Sequence, residues 1–223
     1  GAKTLYVQLM DGFGQMTETR SASITINPPR KAVVSIGWAY DDVAPGCVFD
    51  SGLGINRMNY SATARTFVWD SGEDAGTVVK GDSVNFNEDI RVGGATTGDD
   101  SGMYPDSVLE KYVRYNGFPQ NTYGHRTASI HLSPGTYRLR LFCSLNSTYK
   151  NSTEFMKVQT VVDGVANVFE LPDGYDVIGN LTRWLEQEIT VPESGMFELQ
   201  WGMENATKGW MEVPLNIIEI EET

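Results

Sequence analysis

Positive charge is scarce in this chain. Its 223 residues carry 17 Lys+Arg against 29 Asp+Glu, a formal net charge of -12. Phosphate binding needs a basic footprint, so nucleic acid is not an expected partner. Cysteine is nearly absent as well: Cys47 and Cys143 are the only two, and no C-x-x-C spacing occurs. That excludes a disulfide framework and the usual zinc and redox motifs. Cys143 reads as a buried strand residue and Cys47 as a loop residue, with a single bridge between them as the alternative. Histidine is limited to His125 and His131. No apolar run approaches the roughly 18 residues of a spanning helix, so membrane insertion is not expected. Gly1-Ala-Lys-Thr4 does not read as a signal peptide, and neither a repeat at a solenoid period nor a low-complexity segment occurs.

What the chain has instead is alternation. In Tyr137-Arg-Leu-Arg-Leu-Phe-Cys143, Tyr137, Leu139, Leu141 and Cys143 share one face of an extended chain, and Arg138, Arg140 and Phe142 share the other. The turn residues Pro134-Gly135 precede it. Similar short runs fall at 32–36, 65–69, 83–86, 128–132, 154–162, 165–171, 184–191, 196–203 and 215–221, separated by Gly, Pro, Asn and Asp. This pattern predicts an all-β fold, an antiparallel jelly-roll-like β-sandwich. Trp201 alternates with Phe197 and Leu199 and belongs to the core, as do Trp69 and Trp184. The exception is Asp106–Gly117, where Val108, Leu109, Tyr112 and Val113 share a helical face behind an Asp106 N-cap, with Gly117 as terminator. That spacing predicts one short helix across an end of the sandwich. Arg138 and Arg140 are expected to pair across strands with residues such as Glu198 and Gln200.

Residues 4–26 read as an N-terminal β-hairpin, Leu5–Met10 and Ser21–Ile26 around Asp11-Gly-Phe-Gly14, and Asn27-Pro-Pro-Arg-Lys31 reads as a linker. Tyr6-Val-Gln-Leu-Met-Asp-Gly-Phe-Gly-Gln15 resembles the last hairpin of a bacterial immunoglobulin-like domain. The expected division is therefore 1–29 as hairpin and linker and 30–223 as sandwich. A lone hairpin is marginal in water, so this one is expected to meet a neighbouring domain or another copy through residues 4–26, or to belong to a longer parent.

Three further segments carry a second resemblance: Ala32-Val-Val-Ser-Ile-Gly-Trp38, Leu132-Ser-Pro-Gly-Thr-Tyr-Arg-Leu-Arg-Leu-Phe142 and Val213-Pro-Leu-Asn-Ile-Ile-Glu-Ile220. With Asp99–Asp106 between the first two, they follow the order of galactose-binding-like and malectin-like β-sandwich modules. The likeness spans about residues 32–221. It implies a scaffold and not a substrate, and no family site residue aligns; the expected partner is a glycan or polysaccharide. The expected function is non-catalytic carbohydrate binding in a bacterial extracellular or cell-surface protein. The alternatives are a structural or adhesion module of a larger surface or phage assembly, and an accessory domain of a hydrolase or lyase.

No catalytic residue is expected. Neither histidine accompanies a G-x-S-x-G or H-E-x-x-H motif, and the carboxylate pairs Asp41-Asp42, Glu73-Asp74 and Asp99-Asp100 read as solvated loops in so acidic a chain. A second reading of Gly98-Asp-Asp-Ser-Gly102 is a structural calcium held by Asp99 and Asp100, since calcium takes hard oxygen ligands; no other cofactor is expected. Carbohydrate sites combine aromatic faces with polar partners, and loop or strand-end positions single out Trp38, Tyr40, Tyr115, Tyr123 and His125, with Arg126 and Asp42. Five N-x-S/T sequons begin at Asn59, Asn146, Asn151, Asn180 and Asn205 and mark surface glycans only in a eukaryotic secretory route.

Overall fold

The computed structural model describes residues 2–223 except 26–27, 40–41, 44–45, 60–63, 82–88, 118–123, 147–152 and 205–210. In chain order the strands are β1 (Ala2–Val7), β2 (Arg20–Thr25), β3 (Lys31–Ser35), β4 (Cys47–Asp50), β5 (Ile55–Met58), β6 (Arg65–Val68), β7 (Asp74–Lys80), β8 (Asp89–Val92), β9 (Lys111–Gly117), β10 (Gly124–Leu132), β11 (Gly135–Phe142), β12 (Met156–Val162), β13 (Val165–Val168), β14 (Leu185–Val191), β15 (Met196–Met203), β16 (Met211–Leu215) and β17 (Ile217–Glu222), with the single-turn helix α1 (Asp106–Leu109) between β8 and β9. One six-stranded sheet runs β13-β12-β15-β10-β7-β6 and the other β14-β11-β17-β3-β5-β4, with a smaller sheet β16-β9-β8 and the hairpin β1-β2 beside them. Apart from the parallel pair β3 and β5, the named strands pair antiparallel.

Alternation builds the core. Phe197, Leu199 and Trp201 of β15, with Ala128 and Ile130 of β10, meet Tyr137, Leu139 and Leu141 of β11 and Ile218 and Ile220 of β17 in one buried cluster. Burial of each such aliphatic or aromatic side chain contributes about 1.5–3 kcal/mol. Trp69 stacks on Tyr137, ring centroids 6.4 Å apart. Within this interior Thr160 Oγ1 donates to Gln187 Oε1 at 2.9 Å, a polar tie between the two sheets. A second cluster covers the outer side of the β11 sheet, where Val33, Trp38, Phe142, Trp184 and Ile217 pack against Val108 and Leu109 of α1.

The structure corrects several expectations. The helix stops at Leu109, and 111–117 is strand β9, paired with β8 and β16; Tyr112, Val113 and Tyr115 are buried there by sheet packing. Pro105 takes the N-cap position, while the Asp106 carboxylate accepts from the Thr97 and Gly98 amides at 2.8 and 2.6 Å. Strands β4, β5, β7, β8 and β16 carry no clean period-two signal; the expected strand at 83–86 lies outside the described residues. Arg138 and Arg140 pair across strands, but with different acids. Arg138 meets Glu221, and Arg140 meets Glu219 and Glu186, because β11 lies between β14 and β17 whereas Glu198 and Gln200 belong to the opposite sheet. Cys47 and Cys143 are free thiols, and burial pushes their pKa values up to about 11 and about 12.

Candidate functional site

Cross-strand register sets out one polar face. His125 lies opposite Gly202, Thr127 opposite Gln200, Ser129 opposite Glu198 and His131 opposite Met196. On the far side of β15, Lys157 lies opposite Gly202 and Gln159 opposite Gln200. On the far side of β10, Ser129 faces Val79 and His131 faces Thr77, which in turn faces Thr66. Directly opposed residues share a face, so all of these stand on the side of the sheet away from Phe197, Leu199 and Trp201.

This face carries a hydrogen-bonded row. Gln159 Nε2 donates to Gln200 Oε1 at 2.7 Å, and Gln200 Nε2 donates to Glu198 Oε2 at 3.1 Å. Thr127 and Gln159 are buried, and the face opens toward Thr66 and Met196, which are exposed. At the open end lies a cavity of about 450 Å³ lined by Thr66, Asp74, Gly76, Thr77, His131 and Ser133. The Thr66 and Thr77 hydroxyls, the Asp74 carboxylate and the His131 imidazole line it from strands, which fixes their positions, and Ser133 joins them from the turn between β10 and β11. Burial holds His125 below the ordinary histidine range; Glu198 pulls it up and Lys157 pushes it down.

The other expected site residues are placed differently. Of the expected site residues, His125 stands on this face. Arg126 points to the opposite side, 1% exposed, its Nε donating to Arg114 O at 3.3 Å. It adjoins Tyr115, whose hydroxyl pKa burial raises and the Arg126 charge lowers, with a net rise. Trp38 is buried; its Nε1 donates to Ser35 Oγ at 2.9 Å, and its ring lies 5.1 Å from Arg57 and 5.5 Å from Lys111. Asp42 is exposed. Tyr40 and Tyr123 lie outside the described residues. Asp99 and Asp100 are exposed, and their oxygens accept from backbone amides, Asp99 Oδ1 from Ser101 at 3.1 Å and Asp100 Oδ1 from Asp106 at 2.7 Å. Among the described residues no group of three or more His, Cys, Asp or Glu converges as a metal site.

Gln159, Glu198 and Gln200 have no motif, and only the order of strands brings them together. A larger cavity, about 710 Å³, lies between Pro28-Pro29 and the chain end. Its cation, Arg30, is committed: Nε donates to Glu222 at 2.8 Å, and the guanidinium lies 5.0 Å from the Trp69 ring centroid. Arg30 thus ties the segment after Pro28-Pro29 to Glu222.

No family model matches the chain, and no curated protein matches it. Among solved structures, the ANXUR2 extracellular domain from Arabidopsis thaliana is similar with a TM-score of 0.47 at 11% identity, over 86% of this chain and 41% of that one. The CBM36-1 domain of a multidomain xylanase from the hindgut metagenome of Trinervitermes trinervoides gives a TM-score of 0.32 at 13% identity, over 65% of this chain and 95% of that one. The CBM51-2 and INT domains of Clostridium perfringens ZmpB, in complex with GlcNAc, give 0.32 at 11% identity over 100% of this chain and 37% of that one. This chain thus spans about two fifths of the first of these chains. Its class is an all-β antiparallel sandwich, and no ligand is carried across from these structures.

Proposed function

We propose that the protein is a non-catalytic carbohydrate-binding module of a bacterial extracellular or surface protein, and that it binds a glycan on the outer face of the β10 sheet. The observation that carries this reading is the polar cavity of Thr66, Asp74, Thr77, His131 and Ser133 beside the Gln159–Gln200–Glu198 row. Sugar hydroxyls are both donors and acceptors, and a mixed set of hydroxyl, amide, imidazole and carboxylate groups on a rigid sheet matches them. The described residues of this face are polar or aliphatic, and the contacts they offer a sugar are hydrogen bonds. A glycan array with the full chain tests the reading. Binding to at least one glycan, lost in Asp74→Ala and Thr77→Val, supports it. A blank array, or binding unchanged in both variants, overturns it.

A further inference from the structure

The N-terminal hairpin carries a surface that the glycan reading leaves unused. Tyr6 in β1 is 69% exposed, and Val7 on the opposite face of the same strand is 46% exposed; in the connection that follows, Leu9 is 66%, Met10 68% and Phe13 95% exposed. The described side chains of residues 4–23 are exposed on both faces, and a two-stranded hairpin with no buried face is marginal in water, so it calls for a partner. A cavity of about 420 Å³ lies along the hairpin, lined by Val7, Leu9, Thr17, Glu18 and Arg20. Val7 and Arg20 are directly opposed in the register, and Leu9 N donates to Thr17 Oγ1 at 2.9 Å. Apolar side chains, one acid and one base are therefore set side by side.

We propose that this hairpin surface is covered by the same surface of a second copy of the chain. A two-fold operator brings each surface patch against itself. Here that sets Val7 and Leu9 against their own copies and lets Glu18 of each copy meet Arg20 of the other. Charge across the chain favours the same partner. Residues 1–26 hold Lys3 and Arg20 against Asp11 and Glu18 and are neutral, so the rest of the chain carries the whole net charge of -12. Two copies approach with least repulsion through the hairpin. The interface is separate from the glycan face, and neither depends on the other.

Sedimentation analysis of the full chain over a concentration series tests the pairing with charge reversals at exposed positions. The wild type dimerises as concentration rises. Glu18→Arg and Arg20→Glu, each alone, place like charges in apposition and weaken the dimer by roughly tenfold or more. An equimolar mixture of the two variants regains the dimer, because a doubly basic hairpin then meets a doubly acidic one. A wild type that stays monomeric overturns the proposal and leaves the hairpin to a different partner sheet. Single variants that dimerise as the wild type does, or a mixture that stays monomeric, overturn it equally.

Discussion

Arg140 stands over the Trp184 ring with its guanidinium carbon 4.6 Å from the ring centroid, and its Nη1 donates to Glu219 Oε1 at 2.5 Å. Glu219 is 2% exposed and also pairs with Lys31 at 3.0 Å, while the Tyr104 hydroxyl donates to it at 3.2 Å. Burial acts to raise the Glu219 pKa, but Lys31 and then Arg140 outweigh it and hold the carboxyl below the ordinary glutamate range. A depressed folded pKa contributes stability above the unfolded value, about 4.3, and that stability is lost as pH falls through the folded value. Glu219→Ala removes the acid that Lys31 and Arg140 share; both cations are partly exposed and Arg140 keeps Glu186, so the expected cost at neutral pH is about 1–3 kcal/mol. Urea titrations across pH 7 to 3 read both effects. The variant's stability should fall less steeply than the wild type's on acidification, and parallel curves would show that Glu219 is not the linked group.

On the candidate glycan face, Gln200 both accepts from Gln159 and donates to Glu198. Gln200→Ala removes the middle of the row and is expected to weaken glycan binding by about 1–1.5 kcal/mol, roughly tenfold. Calorimetric titration with an array-positive glycan measures it. Unchanged affinity would place the ligand elsewhere on the protein.

How far this molecule could be read from its residues differs between scaffold and site. Tyr137, Leu139 and Leu141 alternate with charged neighbours, and the structure buries all of them, because period two is a local property of the chain. Lys111–Gly117 is ambiguous in sequence because Tyr112 and Val113 satisfy a helical period and a strand buried on both sides equally well. His125 was picked out by its type. Gln159, Glu198 and Gln200 were not, because an outward polar residue looks alike on every strand. Only knowing that β15 lies between β10 and β12 shows that these side chains meet one another rather than Arg138 and Arg140.

Gly202 of β15 lies opposite His125 of β10. A Cβ at this position would collide with the Gly124 carbonyl and the His125 Cα, backbone atoms that cannot rotate away. Gly202→Ala is therefore expected to destabilise the fold by about 1–3 kcal/mol, although alanine is otherwise the better strand residue. Thermal unfolding followed by circular dichroism checks it. A melting temperature equal to or above the wild type's would show that the two strands can part without loss.

Asn180 looks from its sequence like a glycan acceptor and sits in the structure as a buried tie. Its Nδ2 donates to Cys143 O at 2.9 Å and to Arg183 O at 2.8 Å, and its Oδ1 accepts from Arg183 N at 2.8 Å. Its own carbonyl accepts from Ser144 Oγ at 2.7 Å. Both amide hydrogens are thus committed to carbonyls, and a sugar on Nδ2 would require breaking these contacts in a buried site. Asn146, by contrast, is exposed. Secreted from a eukaryotic host, the folded chain is expected to carry a glycan at Asn146 and none at Asn180, which peptide mapping by mass spectrometry resolves. Asn180→Ala should cost about 2–3 kcal/mol in urea unfolding, since it leaves the Cys143 and Arg183 carbonyls without that donor. Full glycan occupancy at Asn180, or a loss under roughly 1 kcal/mol, would show that these hydrogen bonds contribute little to holding this loop against β11.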